Sequence, residues 1–155
     1  MELSGSYDFA APARTVWDLL NDPDTVASCL PGCDGLKPLG DDTFQVDLAI
    51  TVAAISGRYR GTVAMCDKQP PRSYRLVVEG TGKAGFVRGD AVLEIVDQGE
   101  TSSVRVNGTG GVGGLIARVG QRLLGSVAKM MMDRFFACLQ EKAVATRHDV
   151  SSVDG

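Results

Sequence analysis

The chain has 155 residues, 44% of them hydrophobic and 23% charged, with a formal net charge of −3 at pH 7. That is about one domain, large enough to bury a core without staples, since chains of this size bury roughly 70% of their unfolded surface. The acidic balance argues against general nucleic-acid binding. The apolar runs fall far short of the ~18 residues of a membrane span, and the opening MELSGSYDFA has neither the basic start nor the apolar stretch of a secretory signal.

LSGSYDFA sets Leu3, Tyr7 and Phe9 in one phase and predicts a short strand. APARTVWDLLND predicts a helix, with Pro12 suited to its first turn and Val16, Leu19 and Leu20 at helical spacing beside Trp17. DPDTVASCL predicts a second short helix, opened by Asp22-Pro23 and closed by Pro31-Gly32. The stretch LPGCDGL (30–36) packs two chain-bending dipeptides, Pro31-Gly32 and Asp34-Gly35, around Cys33, and reads as a corner leading into a sheet. Pro31 presets φ for the turn and Gly32 supplies a positive φ.

The period then changes to two. TFQVDLAITVAA alternates Phe44, Val46, Leu48, Ile50 and Val52 with mostly smaller or polar residues, as a half-buried strand does. ISGRYRGTVAMCD places Ile55, Tyr59, Val63 and Met65 opposite Arg58 and Arg60. After a QPPRS turn come three more strand candidates, YRLVVEG, GFVRGDAVLEIV and TSSVRVNG, separated by TGKA and DQGE, which together predict an antiparallel meander. In the second of these, Val87, Ala91, Leu93 and Ile95 form one phase and Phe86, Arg88 and Asp90 the other. If the second phase faces inward, Arg88 is a polar anchor for an anionic ligand.

From about Gly113 the period is helical, with Ile116, Val119, Leu123, Val127, Met130, Met131 and Phe135 in a stripe and Arg118, Arg122 and Lys129 largely off it. The expected helix is ~30 residues, or ~45 Å, long. Residues 146–155 read as a flexible polar tail, which leaves 1–145 as a single domain. This order gives an α+β chain with one strand, two short helices, further strands and a long helix, for six or seven strands in all. A sheet with one apolar face must bury it, and only the last helix is long enough to cover it. The expected architecture is a helix-grip fold, a curved antiparallel sheet around a long C-terminal helix, with room for a cavity between them.

Four cysteines (Cys29, Cys33, Cys66 and Cys138) are scattered, and nothing points to secretion, so they read as reduced thiols in a cytoplasmic protein. A zinc site built on Cys29 and Cys33 lacks two further ligands, since the only histidine, His148, is in the tail. GTGKAG (80–85) and GTGGVG (108–113) both fit GxGxxG, and the second follows a strand and precedes a helix, but no parallel strand and acidic residue follow it, and the first lies between two strands with no helix behind it. They read as glycines at strand ends that let the sheet bend and the backbone turn into the helix. Without a histidine in the ordered core, Ser-His-Asp and Cys-His catalysis are effectively excluded. Asp90, Glu94, Tyr59 and Tyr74 remain as possible acid–base groups, and each reads more simply as a solvent-facing or satisfied strand residue; no catalytic residue is assigned. Charge is uneven: residues 1–57 hold nine acids and two bases, residues 113–147 two acids and six bases. This is either a pair of solvated faces or a basic helix that meets an acidic partner or anionic membrane.

LPGCDGL after two short helices, GRYRGTV, GTGKAGFVRGDAVLEI, TSSVRVNGTGGVGGLIARVGQRLL and the later FF together resemble the CoxG family, the G subunit of carbon monoxide dehydrogenase, over about residues 2–142. The resemblance implies a START-like (SRPBCC) helix-grip domain with a deep cavity for an apolar ligand. It also implies association with molybdenum-containing hydroxylases of the carbon monoxide dehydrogenase type, as an accessory for membrane recruitment or electron delivery that holds a quinone or similar lipid. Pro31, Gly32 and Cys33 carry the family's signature turn. Some members continue into a membrane-attaching tail; this sequence stops at Gly155, so weak, salt-sensitive contact of the basic helix face with the inner membrane surface is expected instead.

The expected function is hydrophobic small-molecule binding without chemistry, with no metal and no covalent cofactor. The expected sheet walls are Phe44, Val46, Leu48 and Ile50, then Tyr59 and Val63, Leu76 and Val78, and Val104 and Val106. The helix contributes Ile116, Val119, Leu123, Val127, Met130 and Met131. The alternatives are an assembly protein whose groove is closed, and a cyclase- or hydrolase-like enzyme with a polar pair in the cavity.

Overall fold

The structure, a computed structural model, describes the backbone of residues 1–52 and 55–154 and the side chains of 1–52 and 55–145. The end of the strand expected through Ala53 and Ala54 and the polar tail expected over 146–155 therefore lie outside the described residues, or outside their described side chains. Strand β1 (Glu2–Phe9) is followed by helices α1 (Ala13–Leu20) and α2 (Pro23–Cys29). Six strands follow: β2 (Cys33–Gly40), β3 (Thr43–Ile50), β4 (Gly57–Gln69), β5 (Ser73–Gly82), β6 (Gly85–Asp97) and β7 (Ser102–Gly113). A 3-10 turn (Gly114–Val119) then leads into α3 (Gln121–Asp154).

The strands form one antiparallel sheet in the order β1-β7-β6-β5-β4-β3-β2. The first strand thus pairs with the last, and α1 and α2 carry the chain from one edge of the sheet to the other. Hairpin geometry fixes the register locally. Asp41 and Asp42, both at positive φ, form the two-residue turn between β2 and β3, a turn type that short polar side chains tolerate. Lys83 and Ala84 do the same between β5 and β6.

Two expectations change. The corner at 30–36 ends at Gly32 (φ 74), and Cys33 to Gly40 is a strand. Pro38 and the turn dipeptides hide it in the sequence; proline is tolerated because β2 is an edge strand. The glycine run 108–113 lies inside β7 and is not a strand-to-helix turn.

The core falls into two parts. The larger packs Phe9, Val16, Trp17, Tyr74, Val104 and Leu139 among others, where α1, β1, β6, β7 and the later turns of α3 meet. Phe136 stacks on Tyr7 (ring centroids 4.2 Å apart), and Trp17 meets Tyr74 edge-on at 5.6 Å. The smaller part holds Ile55, Tyr59, Ile116, Leu124 and Val127. Helix α3 is tied to β1 by Tyr7 Oη, which donates to Asp133 Oδ1 at 2.6 Å, and by Lys129 Nζ, which donates to Tyr7 Oη at 3.3 Å.

The cysteines are not all reduced thiols: Cys29 and Cys138 form a disulfide, with Cα atoms 5.4 Å apart, while Cys33 and Cys66 are free. A separation of 109 residues gives no local signal in the sequence. The pairing arises because the end of α2 packs against α3.

Two measurements check this arrangement. Thiol titration in denaturant finds two reactive thiols before reduction and four after it. Leu139→Ala, at a fully buried position, lowers unfolding stability in urea by about 2–5 kcal/mol, whereas Leu123→Ala, at a 37%-exposed one, stays within about 0.5 kcal/mol.

Candidate functional site

The inner face of the sheet loses its side chains in a band across four neighbouring strands, at Gly61, Gly80, Gly89 and Gly108. Gly61 and Gly80 are direct cross-strand partners, and Gly89 faces Gly110. A Cβ on Gly61 would stand 2.0 Å from the Glu79 carbonyl oxygen, so the sheet creases here only because that position is bare. At Gly89 the nearest atom to a Cβ would be 3.8 Å away, so its missing side chain leaves open room.

Between this band and α3 lies a cavity of about 490 Å³, within the ~300–1,000 Å³ typical of small-molecule sites. Members of both core clusters line it, so it separates the solid part of the interior from the smaller one. The sheet walls include Phe44, Val46, Leu48 and Ile50 of β3, Tyr59 and Val63 of β4, Leu76 and Val78 of β5, and Val106 of β7. Ile116, Val127 and Met131 close it from the helical side.

Four expected wall residues are elsewhere. Val104 is fully buried in the solid core, because the start of β7 pairs with β1 at its side and is covered by α1. Val119 packs with the smaller cluster at the end of the 3-10 turn. Leu123 is largely exposed, Met130 is half-buried, and neither reaches the wall. The expected stripe ran unbroken from Ile116, but Gly120 at φ 96 interrupts the helix and resets its phase. The inward face is instead Leu124, Val127, Ala128, Met131, Met132 and Phe135.

Sequence reasoning also missed the end formed by Leu20, Asn21, Pro23, Val26 and Leu30 of the α1–α2 region with Leu36 of β2. The only available signal was an apolar residue at each helix end.

Strand β6 turns Val87, Gly89, Ala91 and Leu93 inward. Arg88 is exposed, its guanidinium 5.6 Å from the centroid of the exposed Phe86 ring. It is not an anchor inside the cavity. The sheet's charged side chains pair on the outer face, as Arg60 with Asp47 (2.7 Å), Arg58 with Asp34 (2.9 Å) and Arg75 with Asp90. Arg75 holds the Asp90 carboxyl below its usual range.

Of the four possible acid–base groups, Asp90 and Glu94 therefore lie on the outer side. Tyr59 Oη donates to Ile55 O at 2.7 Å, and burial raises its pKa. Burial also raises that of Tyr74, which keeps its phenol protonated. Asn21 Nδ2 donates to Trp17 O at 2.9 Å. Among the described residues no group of three or more His, Cys, Asp or Glu could hold a metal ion.

The sequence model for CoxG, the G subunit of carbon monoxide dehydrogenase, matches residues 5–144. The chain belongs to the CoxG family. A conserved protein from Geobacillus kaustophilus is 33% identical, with 94% of this chain and 97% of that one covered and a TM-score of 0.91. A START superfamily protein from Mycobacterium smegmatis (13% identity, coverage 94% and 98%, TM-score 0.74) shares the helix-grip fold. So does the Zhui aromatase/cyclase from Streptomyces sp. R1128 (14%, coverage 92% and 93%, TM-score 0.70). No curated protein matches the chain. CoxG membership and the START-like fold agree with the resemblance carried by LPGCDGL and the glycine-rich segments.

Two glycines on one face of the sheet should respond in opposite ways. Gly89→Leu keeps its fold and takes up at least about tenfold less of the dye 1-anilinonaphthalene-8-sulfonate, because the side chain enters the cavity. Gly61→Ala costs about 1–3 kcal/mol in thermal unfolding, because the added methyl meets backbone.

Proposed function

We propose that this CoxG protein carries a hydrophobic small molecule, quinone-like or lipid, in its cavity. It would serve as an accessory to a molybdenum-containing hydroxylase of the carbon monoxide dehydrogenase type, in membrane recruitment or electron delivery. The apolar cavity of about 490 Å³ is the observation that carries this reading. A ligand burying ~300 Å² of apolar surface there gains roughly 7 kcal/mol gross at ~25 cal/mol per Å², less the cost of association. The family name, which refers to carbon monoxide dehydrogenase, supports the partner.

The cavity speaks against an assembly protein with a closed groove. An enzyme of the cyclase kind needs ionisable groups aimed at its substrate. Here the strand alternation turns Asp90 and Glu94 outward and Tyr59 is committed to a backbone carbonyl, which leaves Tyr74, a phenol whose pKa burial raises, as the one candidate of the four in the wall without such a commitment. No helix among the described residues is long and apolar enough to cross a membrane. Membrane contact would instead fall to exposed Arg118 and Arg122, which sit beside exposed Leu115 and Leu123.

Native mass spectrometry of protein purified from its host, followed by lipid extraction, should find a copurifying quinone or lipid. Repeated absence of any ligand, with no uptake of added quinone, ends the carrier reading. Co-sedimentation with vesicles of about one-third anionic phospholipid should be lost near 0.5 M salt and in Arg118→Gln/Arg122→Gln. Binding that ignores both changes removes the basic helix from the account.

A further inference from the structure

Tyr74 lies in β5 on the same parity as Leu76 and Val78, and all three belong to the cavity wall. It stands where the solid core and the cavity meet: Trp17 packs edge-on against its ring, and the residue is 3% exposed. Its Oη makes no hydrogen bond among the described residues, and burial alone raises its pKa. A buried tyrosine usually finds a partner for that hydroxyl.

The hydroxyl is unpaired without being walled in. Among the described residues, Asn21 Oδ1 is the one unpaired side-chain nitrogen or oxygen closed off even from a water molecule. Tyr74 Oη, unpaired too, is therefore within reach of one. Nearly all of Tyr74 is covered by protein and the residue forms part of the cavity wall, so the open side of Oη is the cavity.

The other polar groups near the wall are committed or outside. Tyr59 Oη spends its proton on Ile55 O, and Asn21 Nδ2 donates to Trp17 O. Arg60, Thr62, Arg88 and Thr109 are exposed, on the outward parity of their strands. The N-terminal ammonium of Met1, at the smaller cluster, donates to Gly110 O at 3.1 Å. Against Tyr74 the wall therefore offers one unspent neutral donor and no side-chain cation.

We infer that Tyr74 Oη donates a hydrogen bond to a neutral carbonyl oxygen of the ligand, which seats the carbonyl end against the solid core and runs the hydrocarbon body towards Ile116, Leu124 and Val127. The inference rests on the hydrophobic-carrier reading and deepens it, because it selects an uncharged carbonyl compound over a plain hydrocarbon or a fatty-acid anion. Burial keeps the phenol protonated, so the donor is always present. A carbonyl oxygen brings only lone pairs, which are what the unspent O–H lacks. A hydrocarbon would leave the hydroxyl unpaired. A carboxylate would carry its charge into an apolar wall against a single neutral donor, and the lost hydration outweighs one hydrogen bond.

Calorimetry tests this with three ligands of similar size at about pH 8, where the carboxylic acid is ionised: 2-acetylnaphthalene, 2-isopropylnaphthalene and 2-naphthoate. Tyr74→Phe should weaken the ketone about tenfold and leave the hydrocarbon within about twofold. The wild-type protein should bind the naphthoate more weakly than the ketone. On binding to the wild type, the infrared carbonyl stretch of the ketone should fall below its value in hexane, and in Tyr74→Phe it should return towards that value. Ligand-free Tyr74→Phe should melt no lower than the wild type, since it loses only an unpaired hydroxyl. A lower melting point or a failure to fold would mean that the hydroxyl has a partner within the protein, and the inference falls. It falls equally if the substitution weakens the ketone no more than the hydrocarbon, if the naphthoate binds as tightly as the ketone, or if the wild-type carbonyl stretch stays at its hexane value. Failure of both neutral naphthalenes to bind the wild type overturns the carrier reading and takes this inference with it.

Discussion

The rest of the structure depends on the absence of side chains along one band of the sheet. Where Gly61 meets Gly80, the backbone of β5 comes so close that a single methyl has no place. That close approach creases the sheet. The same band, continued through Gly89 and Gly108, leaves the concave side short of the volume needed to fill it. Protein interiors otherwise pack to crystal density. A void of about 490 Å³ in a small domain therefore needs a covalent origin, and the glycines supply it.

A helix laid over a hollow must be held somewhere else. Helix α3 is held by its middle and later turns, through the Tyr7–Asp133–Lys129 cluster, the Phe136–Tyr7 stack, the disulfide to α2 and buried Leu139. Its first turns face the cavity and the smaller cluster. The 3-10 turn before them is bounded by Gly114 (φ 79) and Gly120 (φ 96) and exposes Leu115. Stability in folded domains is uneven, and segments with few buried contacts open at least cost. In this molecule that turn lies beside the void and is pinned by buried Ile116, whose N–H donates to Ala84 O at 2.7 Å.

Much of this was legible in the sequence, because period-2 strands and a period-3.6 helix survive in their simplest form. β1, β3, α1 and α2 follow from alternation and turn chemistry, and the inward residues of β3 to β5 follow from parity alone. The losses share one cause: each concerns contact between distant segments. Pro38 is acceptable only because β2 has no neighbour on one side, and a linear reading has no access to that. Leu123 and Met130 were placed on the wall by a helical phase counted through Gly120, one glycine too far. The α1–α2 end and the Cys29–Cys138 bond depend on how helices dock.

The START-like fold is shared with a protein named as an aromatase/cyclase, so architecture leaves chemistry undecided. In this chain the decision rests on strand parity. Shifting β6 by one residue would turn Arg88 and Asp90 into the cavity and Val87 and Ala91 out of it. The register that prevents this is set by the two-residue Lys83-Ala84 turn on one side and by the ladder to β7 on the other. The outer-face Arg75–Asp90 pair lies in the same register. A single geometric choice at that hairpin thus keeps the charged groups of β6 outside and leaves an oily interior whose polar features are a few hydroxyl and amide atoms. An interior of that kind would discriminate between ligands by shape and by hydrogen-bond direction, as the proposed carrier role requires.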